Sequence, residues 1–191
     1  MSAAAHYAST TSTGRYRWWH GALFFGAVTA VSALATRRRQ GNPKSLYQQE
    51  HLPVWAPPAA AFPVVWPLNN LVLVTGSLRL LNNPGLPYRR ELLALQAVLW
   101  ADFLTYGIVY FRWRSPILSA VWTLTDAAAA ATSLVLARRT GDQRLTLAYL
   151  PITAWTSFAS TIALYDALRN PDRFFGTAAP LAHPPIATLE K

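Results

Sequence analysis

The stretch Leu92-Leu93-Ala94-Leu95-Gln96-Ala97-Val98-Leu99-Trp100-Ala101-Asp102-Phe103-Leu104-Thr105-Tyr106-Gly107-Ile108-Val109-Tyr110-Phe111 decides the fold class. A helix crossing a ~30 Å hydrocarbon core needs roughly 20 mostly apolar residues, and this run has that length. Its one charged residue is Asp102, and charge returns at once at Arg112 and Arg114. Four further stretches have the same character, at 18–36, 59–81, 117–137 and 145–168. Asn82-Asn83-Pro84-Gly85 supplies a turn before the quoted run. Short Arg-bearing connectors, 112–116 and 138–144, separate the later ones. The expected architecture is therefore an all-α membrane protein, a five-transmembrane-helix bundle over residues 18–170, with the lipid bilayer as its first partner.

Composition agrees. Of 191 residues, 52% are hydrophobic and 13% charged, about half the charged fraction of a soluble domain. The net charge of +9 comes from 17 Lys and Arg against 8 Asp and Glu. Almost all the basic residues are Arg lying between apolar runs, which fits membrane-flanking charge and leaves no expectation of a nucleic-acid partner. They divide almost evenly between the two ends of a five-span bundle, so the positive-inside rule sets no orientation. The triplet Arg37-Arg38-Arg39 by itself favours the cytoplasm for its end. There is no Cys, which excludes a disulfide scaffold, a thiolate metal site and a cysteine nucleophile. The four His show no ligand spacing and no G-x-S-x-G occurs, so neither a metal site nor catalytic residues are expected. Residues 1–17 read as a disordered, solvated arm with a faint transit-peptide character, and 171–191 as a disordered Pro-rich tail.

Polar residues within the spans are the informative departures. An ionised carboxylate at the bilayer centre costs roughly 2.5–3.5 kcal/mol on insertion scales. Asp102 and Asp126 nevertheless lie near the middle of spans three and four, Asn69 and Asn70 in span two, and Thr156, Ser157, Ser160 and Thr161 in span five. Antiparallel packing brings these to one layer. Two readings stand: a polar binding site or proton path, and interhelical hydrogen bonds between protonated carboxyls.

Seven of the eight Trp residues divide by depth. Trp18, Trp19 and Trp113 lie at span ends, where amphipathic rings favour the headgroup zone. Trp66, Trp100, Trp122 and Trp155 lie within spans, where an indole N–H needs a partner. Phe62, Trp66 and Asn70 repeat every four residues and share a helix face. Gln96, Trp100 and Phe103 share another, with Asp102 and Tyr106 pointing nearly opposite. Pro151 frees the carbonyl of Leu147 one turn before Trp155. These aromatic and amide groups suit either a flat, partly polar ligand or a plain aromatic core.

The run Trp55-Ala56-Pro57-Pro58, then Phe62, then Val65-Trp66, resembles the W-x-P-P…F…V-W signature of the TspO/MBR family of tryptophan-rich sensory and translocator proteins. Gln96, Trp122-Thr123-Leu124-Thr125-Asp126 and Pro151 with Trp155 are similar to its later motifs. The resemblance implies a five-helix bundle, often a homodimer, that binds porphyrins, sterols or aromatic drugs between its helices. A bound tetrapyrrole is the one cofactor-like group it suggests. Trp66 and Trp155 would line the cavity, and Trp55, Pro58 and Phe62 would shape its entrance. With Asn70, Gln96 and Trp100 these make up the candidate ligand-binding set; Asp102 and Asp126 form a separate candidate polar or proton site. Trp100 and Ile162-Ala163 stand where the family has Asn, and Asn70 and Ile152 where it has Tyr. The leading expectation is a membrane sensor or carrier for a hydrophobic, porphyrin-like or sterol-like molecule. The alternatives are a proton-coupled transporter using Asp102 and Asp126, and a porphyrin-degrading activity.

Overall fold

Residues 15–36 and 47–181 are described by the structure, a computed structural model. Most of the N-terminal arm, the Arg37-Arg38-Arg39 triplet and positions 182–191 lie outside the described residues. Helix α1 covers Trp18–Thr36, α2 Phe62–Asn82, α3 Arg89–Gly107, α4 Pro116–Arg139 and α5 Gln143–Arg169. A single 3-10 turn, Ala59–Ala61, leads into α2, and α3 runs on into a π turn, Ile108–Trp113. Four of these helices, taken with the turns that extend them, are long and apolar enough to cross a membrane. The apolar part of α1, Trp18–Leu34, is shorter. The result is the all-α membrane bundle expected, without a β-sheet among the described residues.

Local chemistry sets the helix ends. Pro63 and Pro116 occupy first-turn positions, where a missing N–H costs nothing. Ser115 and Asp142 cap α4 and α5 by accepting from the Leu118 N–H at 3.1 Å and the Leu145 N–H at 3.0 Å. Pro67 and Pro151 sit inside helices, which neighbouring helices make tolerable in a bilayer. Arg114, at φ 51°, stops the π turn in the left-handed region.

The helices form a ring in the order α1–α2–α5–α4–α3, with α3 closing on α1. The α4–α5 pair is the most extensive contact. Small residues make it possible: Ala129, Ala130, Ser133 and Ala137 of α4 are buried, as are Ala148, Thr156 and Ser160 of α5. Hydroxyls cross the seam, Thr153 to the Ala130 carbonyl at 3.1 Å and Ser160 to the Thr123 carbonyl at 3.3 Å. Polarity is inverted relative to a soluble protein. Leu68, Leu71, Val121, Leu147, Leu150 and Leu164 are exposed, whereas Asn69, Asn70, Gln96, Asp126 and Asp166 are buried.

The end of the bundle bearing the α2–α3 and α4–α5 turns is packed shut. A Cβ placed on Gly76 would lie 3.1 Å from the Ala148 Cβ and 3.6 Å from Gln96 Nε2. Arg79 pairs with Asp142 across α2 and α5, and Arg89 Nε donates to the Leu80 carbonyl at 2.7 Å. At the opposite end the chain beyond Asn170 does not extend as a free tail. Residues 171–181 fold back, because Asp172 accepts from Ser115 Oγ at 2.6 Å, the Ile117 N–H at 3.1 Å and the Phe175 N–H at 2.9 Å. Phe174 stacks on Trp113 at 5.1 Å. A Pro-rich composition does not reveal this hook, because one buried carboxylate organises it.

Two outcomes follow from this packing. Gly76→Leu forces a side chain into the α2–α5 contact and is expected to destabilise the detergent-solubilised protein by about 1–3 kcal/mol, read as a lowered Tm. Asp172→Ala is expected to free residues 171–181, read as faster proteolytic cleavage there with the bundle intact.

Candidate functional site

Where the closed end ends, a cavity begins. It has a volume of about 710 Å³, within the range of small-molecule sites. It lies inside the ring and reaches the end where α2 and α4 start and α3 and α5 finish. The wall is mostly aromatic: Phe62 and Trp66 from α2, Phe103 from α3, Trp122 from α4 and Trp155 from α5. Their rings meet edge-on or tilted, Phe62 to Trp155 at 5.7 Å, Trp66 to Trp155 at 6.4 Å and Trp66 to Phe103 at 5.8 Å, the arrangement that ring quadrupoles favour.

The segment before α2 covers the mouth. Tyr47, Leu52, Ala59 and Ala60 line the cavity, and the Tyr47 hydroxyl donates to the Pro57 carbonyl at 2.9 Å. Trp55, half exposed, lies on the outside of α5 instead, donating its indole N–H to Thr161 Oγ1 at 3.1 Å and meeting Tyr165 edge-on. It pins the segment rather than lining the cavity. Pro58 sets up the 3-10 turn, its carbonyl accepting from the Ala61 N–H at 2.8 Å. Next to this segment the His51 N–H donates to Asn170 Oδ1 at 2.8 Å, and Asn170 Nδ2 donates to Asp166 Oδ1 at 2.7 Å. Burial pushes the Glu50 carboxyl above the ordinary carboxylate range, while Arg173, His51 and Arg114 pull it the other way.

The structure divides the candidates by depth. Phe62, Trp66 and Trp155 line the cavity, as do Asp102 and Asp126. Gln96 shares a helix face with Phe103 but lies deeper, at the closed end, where Ser77 Oγ donates to its oxygen at 2.7 Å and its amide donates to the Tyr149 hydroxyl at 2.9 Å. Trp100 is buried against Phe24 of α1, ring centroids 4.9 Å apart. Asn70 is 2% exposed and its Nδ2 has no partner. Asp102 does not turn away from the cavity. Asp102, Tyr106 and Tyr110, spaced by four, line it along α3, and the π turn carries Tyr110 and Phe111 into it. That i, i+4 stripe was readable in the sequence. Asp166 was not singled out, because it sits at the end of a span, where an acid needs no special account.

Two buried polar atoms of cavity residues have no partner among the described residues, Asp102 Oδ2 and Trp155 Nε1. The Trp122 indole is satisfied, donating to Thr105 Oγ1 at 2.8 Å. Both unpartnered atoms belong to residues that line the cavity.

Residues 22–166 match the TspO/MBR family. The chain belongs to that family. The match covers α2, α3 and α4 entirely and most of α1 and α5, so the cavity is built within the family domain. No individually curated protein matches the sequence. Membership of the TspO/MBR family, together with the apolar helices, makes this a multi-pass membrane protein of sensory or ligand-binding type.

Because Gln96 spends its amide on Ser77 and Tyr149, Gln96→Leu is expected to lower stability by about 1 kcal/mol. Ligand affinity is expected to stay within about twofold, with thermal unfolding and binding titrations reading the two effects separately.

Proposed function

We propose that this protein binds a flat, hydrophobic molecule of tetrapyrrole or sterol dimensions in the cavity between α2, α3, α4 and α5, and acts as its sensor or carrier. The observation that carries the reading is the aromatic wall with an unpartnered indole N–H on Trp155. A buried donor left without a partner costs roughly 1–3 kcal/mol, and a bound acceptor removes that cost. Phe62, Trp66 and Phe103 supply planar apolar surface. The Tyr47–Ala60 segment over the mouth, held at Trp55 and Pro57, supplies the part that must move for a ligand to enter.

The test uses an uncharged porphyrin diester and a sterol, each titrated against the purified protein in detergent. Saturable quenching of tryptophan fluorescence by at least one of them is expected. Trp66→Ala is expected to weaken that binding roughly tenfold, the loss of one large ring contact. Absence of saturable quenching by both, or full affinity in Trp66→Ala, would sink the reading.

A further inference from the structure

The charge of the cavity narrows what it accepts. Three acidic residues line it, Asp102 from α3, Asp126 from α4 and Asp166 from α5, and no Arg, Lys or His lines it among the described residues. Asp166 is held by Asn170. The other two are not neutralised in this way. Asp102 keeps an unpartnered buried Oδ2. Asp126 is 6% exposed, and no hydrogen bond holds its carboxyl among the described residues. The basic residue of α2, Arg79, is committed to Asp142 at the closed end. Trp66, Trp122 and Trp155 line the same cavity, and aromatic faces attract cations and not anions.

We propose that the cavity selects a cationic amphiphile: a flat aromatic body carrying a protonated amine seated against Asp102 and Asp126, with one acceptor for the Trp155 indole N–H. A buried carboxylate pair without a counter-charge is unfavourable in a bilayer. A ligand ammonium supplies that charge and donates to both acids. A dicarboxylate ligand would place like charges together without a basic partner. This inference rests on the cavity being the ligand site and adds the sign of the ligand's charge.

Three probes with one ring system separate the possibilities: the aminoacridinium cation, neutral acridine and acridine carboxylate. Each is titrated by tryptophan quenching against the full chain in an uncharged maltoside detergent at mildly alkaline pH. The cation is expected to bind roughly tenfold more tightly than neutral acridine, the gain of one charge-assisted contact, and the carboxylate most weakly. Asp102→Asn with Asp126→Asn is expected to erase the cation's advantage over neutral acridine. If that double variant does not fold, each single variant is expected to reduce the advantage roughly threefold. The inference is overturned if the carboxylate binds as well as the cation, or if the Asn variants keep the preference. If no probe binds saturably, or Trp66→Ala binds all three unchanged, the cavity reading itself falls, and this inference with it.

Discussion

In a hydrocarbon surround, every polar group must find its partner inside the protein, because lipid offers none. The whole structure follows from that constraint. It makes the segments helical, turns their leucines outward and draws the amides, hydroxyls and carboxyls to the centre of the ring. At the closed end the demand is met. Gln96 is bonded to Ser77 and Tyr149, Arg79 to Asp142, and Arg89 to the Leu80 carbonyl. The small residues of α4 and α5 allow the close approach that the Thr153 and Ser160 bonds across that seam require.

The other half of the bundle meets the demand only in part. Bulky rings on α2, α3 and α5 meet edge-on or tilted, and the π turn after Gly107 widens α3 at the same level. Of the four buried side-chain atoms without partners among the described residues, two belong to the cavity wall, Asp102 Oδ2 and Trp155 Nε1. The cavity is thus aromatic, acidic and incompletely hydrogen-bonded. The hook at Asp172 and the pinned Trp55 segment lie at the same end of the bundle as its mouth.

The span boundaries were legible because length and hydropathy are local properties. The turn at Asn83–Gly85, the caps at Ser115 and Asp142 and the first-turn prolines all mark helix ends through nearest-neighbour chemistry. The site was legible by face but not by depth. Gln96, Trp100 and Phe103 share one stripe of α3, yet only Phe103 reaches the cavity. Gln96 falls at the closed end and Trp100 against α1. Periodicity gives an angle around a helix; where a neighbouring helix crosses depends on side chains far away in the chain.

That this chain is a membrane bundle of the TspO/MBR family, with acids and tryptophans held within its spans, follows from residue type and spacing, on which lipid acts directly. It took the packed helices to show that Asp102 and Asp126 line the same cavity, that Trp55 lies outside it, and that 171–181 folds back on Ser115. These depend on contacts between residues tens of positions apart. Their geometry comes from the ring order of the helices, which no local pattern encodes.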